Sequence, residues 1–213
     1  MRINELVKPE ELTQFKRGLD RAPRDHNNQV SHDEDVRFAL RDYMAKYGFK
    51  ELGSGAFASV FESPKHKFVL KVFGENPGFL KWIAFCQANP ANPYLPRFLG
   101  KPIKIHHTYY FIRMERLTHS DPTRQARLSN SLAFLSHRAD KLYSGSLDGL
   151  KPTDIELLQT ELPDYLEDED IKQAVQAIQS IGKKHFVDIN KDNIMFRGNG
   201  RGSQPVITDP ISG

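Results

Sequence analysis

Four groups of residues in this 213-residue chain have types and spacings that could carry chemistry. The first is Leu52-Gly53-Ser54-Gly55-Ala56-Phe57-Ala58-Ser59-Val60, whose paired glycines would let backbone N–H groups approach phosphate oxygens in a hairpin closing over a nucleotide. A bulge or a tight bend is the bland alternative for the same pair. The second is Lys71, eighteen residues after Gly53 and flanked by Val69, Leu70, Val72 and Phe73. An unpaired ammonium buried in such a run costs on the order of several kcal/mol. Either an anion such as a phosphate meets it, or the strand is an edge and the side chain reaches water. The third group is Asp188 with Asn193, five residues further on, between a helix and a strand. Such an aspartate can accept or orient the proton of an attacking hydroxyl, and such an asparagine can offer its amide oxygen to a metal ion. The fourth is Asp209, which closes the apolar run Val206-Ile207-Thr208 sixteen residues after Asn193 and supplies a carboxylate suited to a hard cation such as Mg²⁺.

The elements that must hold these groups can be read from periodicity and breakers. Residues 1–30 are polar and charged, with one short helix expected over about 9–19. A better helix is expected over about 32–46, capped by Ser31 or Asp33, with Val36, Leu40 and Tyr43 inward and Gly48 past its end. Alternating runs at 50–62 and 67–73 predict a hairpin turning at Ser63-Pro64-Lys65-His66, and 79–88 reads as a short apolar helix stopped by a breaker-rich loop. Two strands are expected near 101–106 and 108–114, then helices near 121–143 and 153–160. Ile171, Ala174, Val175, Ile178 and Ile181 keep helical spacing over 168–184, where Gly182 ends the helix. Short strands at 193–197 and 205–209 complete the chain. A strand-rich first half and a helical second half, hinged near 115–119, make an α+β chain of two lobes.

Composition narrows the classes. The length suffices to bury roughly two-thirds to three-quarters of the unfolded surface. Thirty basic residues stand against twenty-seven acidic ones, a net charge of +3 without any long single-sign run, so no direct nucleic-acid binding is expected. The single cysteine, Cys86, excludes an internal disulfide and leaves too few sulfur ligands for a structural zinc site. No apolar stretch approaches membrane-spanning length and the N-terminus lacks a signal-peptide core, so no membrane partner and a cytoplasmic location are expected. No signal for an oligomeric state is present.

Taken in this order, the four groups resemble the motif set of the eukaryotic-type protein kinases, over residues 49–213. The resemblance implies a reduced bilobal kinase-like fold: an N-terminal extension over 1–48, an N-lobe of antiparallel sheet with one helix over 49–117, and a truncated, mainly helical C-lobe over 118–213. It implies ATP and Mg²⁺ as cofactors. Gly53, Ser54 and Gly55 would cover the phosphates, with Val60 also in the nucleotide site, and Lys71 would hold the α- and β-phosphates. Glu115, within Met114-Glu115-Arg116-Leu117, would meet the adenine through its backbone. Asp188 would be the catalytic-loop aspartate, and Asn193 and Asp209 the metal ligands. Gly48-Phe49-Lys50-Glu51 running into the glycine pair, Ala84-Phe85-Cys86, and Asp192-Asn193-Ile194-Met195-Phe196 with Pro205 to Ser212 are also similar to the N-terminal half of the early host-takeover serine/threonine kinases of lytic short-tailed phages. That likeness implies host protein substrates in the host cytoplasm.

The chain departs from the kinase pattern in places. The helix after Lys71 offers no glutamate; Glu75 comes too early and Gln87 is the polar residue near the expected place. Phe186 stands where a histidine is usual, with His185 one place off and expected to be structural. Asp209-Pro210-Ile211 replaces Asp-Phe-Gly, and either Asn190 or Lys191 could face the γ-phosphate. Four residues follow Asp209, so no activation segment is expected and self-phosphorylation would fall on mobile hydroxyls: Ser203, Ser212, Ser129 or Ser131. An ATP- and Mg²⁺-dependent serine/threonine protein kinase is the leading expectation. A silent kinase-fold protein that occupies a host partner, or a small-molecule phosphotransferase, are the alternatives.

Overall fold

The computed structural model describes residues 34–55, 57–106, 109–119, 121–143, 151–162, 167–198, 200 and 203–212. The helix expected over 9–19, the caps Ser31 and Asp33 and the side chain of Val36 lie outside them. The fold is mixed α+β, and its contacts divide it into two compact units: residues up to Asn76 with Phe98–Arg116, and Pro77–Arg97 with everything from Leu117 on.

The first unit is a five-stranded antiparallel sheet with one described helix. Helix α1 (Glu34–Ala45) leads into β1 (Lys50–Ser54), β2 (Ala58–Glu62) and β3 (Phe68–Gly74), and β4 (Phe98–His106) and β5 (Tyr109–Glu115) complete a sheet ordered β1-β2-β3-β5-β4. The helix stops as expected. Gly48 takes φ +74°, Phe49 N–H reaches Met44 O and Gly48 N–H reaches Ala45 O, a Schellman pattern that a β-carbon would strain. Leu40, Tyr43 and Met44 then pack with Phe49, Phe61, Leu70, Val72 and Phe111 in one core on one face of the sheet. The run 50–62 is two strands, β1 and β2, paired antiparallel with Ser54 opposite Ser59.

The second unit is mainly helical. Helix α2 (Pro77–Ala88), α3 (Pro122–Tyr143), α4 (Pro152–Glu161) and α5 (Glu169–Gly182) are followed by β6 (Phe186–Val187), a 3₁₀ turn (Lys191–Asn193), β7 (Ile194–Arg197), β8 (Gln204–Ile207) and β9 (Ile211–Ser212). Asp168 caps α5, its Oδ1 accepting from Asp170 N and Ile171 N. Ile171, Ala174, Val175 and Ile178 are buried as their spacing required, with Ile181 half-buried. Gly182 is the last helical residue, and its smallness serves packing: a β-carbon there would overlap Val187 Cγ2. The contacts of α2 group it with this unit, where the sequence partition had put it beside the strands: Trp82, Ile83 and Cys86 are buried, and Gly78 lies against Ile211 and His185. Among the described residues, no helix is long and apolar enough to cross a membrane.

Candidate active site

In the first unit, β3 is the central strand, between β2 and β5. An edge position for Lys71 is therefore excluded, and the residue is 6% exposed. Register places Lys71 opposite Val60 on β2 and Ile112 on β5, and Val60 opposite Gly53 on β1. Directly paired residues share a face, so Gly53, Val60, Lys71 and Ile112 form one row across the sheet. That row lies on the face opposite Leu70 and Val72, whose side chains enter the core with α1. Glu75 is taken up elsewhere on the sheet, at 3.9 Å from Lys104 Nζ and accepting from the Tyr110 hydroxyl at 3.5 Å.

The glycine pair shows both of its expected aspects. The β1–β2 register slips between Glu51 and Gly53, so a bulge is present at Leu52. Beyond it, Gly55 N–H donates to Ala58 O at 2.8 Å, and Gly55 O accepts from the Arg37 guanidinium at 2.9 Å. Neither Gly53 nor Gly55 has a positive φ, and a β-carbon on either would meet nothing within 4 Å. Among the described residues, packing does not demand glycine at 53 or 55. Ser54 is exposed beside them, and Glu115, half-buried, ends β5 just before the chain leaves this unit after Arg116. The Arg116 guanidinium pairs with the Glu62 carboxylate.

In the second unit, Asp188, Asn193 and Asp209 meet on one hydrogen-bonded frame. Strands β6 and β9 pair, Phe186 with Ser212 and Val187 with Ile211, and Asp188 N–H continues the ladder to Pro210 O at 2.8 Å. Asn193 Nδ2 donates to Asp188 O at 2.8 Å. Thr208, buried, donates both its N–H (2.9 Å) and its Oγ1 hydroxyl (3.0 Å) to Asn193 O. The backbone of Asp209 is thus bracketed by one residue tied to Asn193 and another tied to Asp188. From α3, the buried Gln125 donates to Ile194 O at 2.8 Å and Lys191 O at 3.4 Å, pinning the turn between them.

These residues suit a hard cation. A carbonyl can only accept, so the bond to Asp188 O fixes the Asn193 amide with its nitrogen inward. Asn193 Oδ1 has no protein partner among the described residues; an amide oxygen and a carboxylate such as that of the half-buried Asp209 are the donor types Mg²⁺ takes beside phosphate and water. No cluster of three His, Cys, Asp or Glu that could hold a metal occurs among the described residues. Of the two residues left open for a phosphate, Asn190 is consumed within the loop, while the exposed Lys191 ammonium rests on Asp192 at 2.7 Å.

Other expectations change. Ser129, Ser131 and Ser203 are buried, so they are not mobile hydroxyls. Ser203 Oγ donates to Gly200 O and accepts from Arg124, and Ser212 is held in β9. His185 lies against Gly78, and its Nε2 is 3.5 Å from Lys81 Nζ. Sequence reasoning passed over the loop 89–97, which steadies β8. Tyr94 O accepts from Ile207 N–H, Arg197 donates to Pro93 O and Leu95 O, and the Tyr94 hydroxyl donates to Asp168 at 2.8 Å. Burial and then the Asp168 carboxylate hold the Tyr94 phenol above its ordinary range. Only the density of breakers marked that loop in sequence.

No protein-family model matches the chain, and no curated protein sequence matches it. Among solved structures it is similar to APH(2")-IIa in its ternary complex with streptomycin and ATP, at 15% identity and a TM-score of 0.30, covering 83% of this chain and 70% of that one.

Proposed function

We propose that this chain is an ATP- and Mg²⁺-dependent phosphotransferase that delivers the γ-phosphoryl group to serine or threonine hydroxyls of proteins. One observation supports this above the rest: two aspartates and an asparagine from separate segments share one frame, in which the asparagine oxygen has no protein partner among the described residues. Asn193 and Asp209 hold the metal in this scheme; when bound, it screens phosphate charge and polarises the γ-phosphoryl group. Lys71 holds the α- and β-phosphates, the N–H groups of Gly53, Ser54 and Gly55 cover them, Val60 lines the nucleotide site and the Glu115 backbone meets the adenine.

Asp188 accepts the proton of the acceptor hydroxyl. The acceptor oxygen then bonds to the γ-phosphorus as the bond from that phosphorus to the bridging oxygen breaks, and ADP leaves with the electron pair. The protein acceptor is the part carried by the sequence resemblance; a small-molecule hydroxyl would use the same proton transfer. Calorimetric titration with ATP tests the core of the scheme. Binding should be at least about tenfold tighter with Mg²⁺ than with EDTA, because Asn193 and Asp209 would hold the cation and its charge would offset that of the phosphates. Equal affinities in a folded protein would overturn the metal assignment and favour a non-catalytic binding protein.

A further inference from the structure

We propose that Asn190 is a positioning residue for Asp188: its amide nitrogen fixes one carboxylate oxygen while its amide oxygen caps the turn that carries Asn193. The inference rests on the proposed phosphotransfer and adds a role that sequence left open, since Asn190 could equally have faced a phosphate. Asn190 Oδ1 accepts from Asp192 N–H at 2.8 Å and Asn193 N–H at 3.2 Å, the N-cap of the 3₁₀ turn Lys191–Asn193. Asn190 Nδ2 donates to Asp188 Oδ1 at 2.9 Å. The amide cannot be turned over, because N–H groups need its oxygen and a carboxylate needs its nitrogen.

Both ends of the side chain are therefore spent within the loop. The consequence falls on Asp188. Its Oδ1 is occupied, its backbone is tied on both sides by Pro210 O and Asn193 Nδ2, and its Oδ2 has no protein partner among the described residues. A carboxylate held at one oxygen presents the other in a fixed direction, which is what proton acceptance from a hydroxyl requires. One residue thus sets both the aim of the base and the turn bearing a metal ligand.

Capping and aiming can be separated by substitution. Asn190→Ser keeps an oxygen for the cap and removes the donor to Asp188. Asn190→Asp keeps the cap but sets a second carboxylate against Asp188. Asn190→Ala loses both. The assay is total label leaving γ-labelled Mg·ATP, to water and to proteins of a cell lysate, alongside thermal unfolding of each variant. For Asn190→Ser we expect a thermal midpoint within about 1 °C of the parent, an unchanged KM for ATP and a kcat lower by about tenfold, the worth of one partly exposed bond to a charged acceptor. Asn190→Asp should fall further in kcat at a similar midpoint, and Asn190→Ala should also lose about 2–4 °C. A parental kcat in Asn190→Ser, or a loss that appears equally in KM or in the midpoint, would overturn the positioning role. A parent protein that turns over no ATP would instead overturn the phosphotransfer and this role with it.

Discussion

At the scale of single residues, burial decides what each group can do. Lys71 sits buried in the middle strand of a sheet, where its ammonium does not reach water along an edge. Lys71→Met should leave a folded protein and lower phosphoryl transfer by about a hundredfold or more, since charge positioned at the phosphates is the main resource of such chemistry; circular dichroism beside a turnover assay checks both halves. Thr208→Val removes one of the two donors to Asn193 O and leaves the other. It should lower stability by about 1 kcal/mol and raise the Mg²⁺ concentration needed for half-maximal ATP binding, whereas Thr208→Ser should restore both. Burial also pushes the Cys86 thiol above its ordinary range, as burial and Asp168 do for the Tyr94 phenol. Both groups keep their protons in the folded chain after the unfolded chain has released them. The stability they contribute is therefore complete below the free thiol value of about 8.5 and is lost progressively above it, more steeply above the free phenol value of about 10. Urea midpoints measured from pH 8 to pH 11 should fall in that pattern, and a midpoint rising with pH would contradict it.

At the scale of elements, most of the architecture was legible and the exceptions have physical causes. The long helices were readable because apolar spacing and stop signals agree, as at Asp168, Ile171, Ala174 and Ile178. Lys71, Asp188, Asn193 and Asp209 stood out because charge or amide beside apolar strand is unusual. What sequence could not supply was pairing at a distance. Nothing in Phe186-Val187 or Ile211-Ser212 alone announces that these residues pair, yet that ladder joins Asp188 to Pro210. The serine hydroxyls misled for the same reason, since a polar residue in a glycine-rich or helical stretch reads as exposed until its partners are known, as Arg124 is for Ser203. Gly78 shows how tightly the ladder is backed: a β-carbon there would come within 2.6 Å of Ile211 Cγ2 and 2.8 Å of His185 Cγ. Gly78→Ala should destabilise the chain by about 1–3 kcal/mol. It should also weaken Mg²⁺-dependent ATP binding if relief of the overlap displaces β9, since Asp209 precedes that strand by two residues. Unchanged binding in a destabilised Gly78→Ala would mean that β9 does not set the position of Asp209.

At the scale of the whole molecule, the proposed function asks for two things from two units. The sheet unit supplies a row from Gly53 through Val60 and Lys71 to Ile112, and the helical unit supplies the Asp188, Asn193 and Asp209 frame. If the proposed function holds, a substitution at Lys71 and one at Asp188 should each lower turnover. The most direct measurement is transfer of label from γ-labelled ATP by the purified protein added to a cell lysate, with Mg²⁺ or with EDTA, run beside Asp188→Asn. That substitution keeps the shape of the side chain and removes its ability to accept a proton. The account predicts labelled protein bands with the parent and Mg²⁺, none with EDTA, and a loss of about a hundredfold or more with Asp188→Asn. Label appearing equally with Asp188→Asn, or no transfer by a folded parent protein in Mg²⁺, would contradict it.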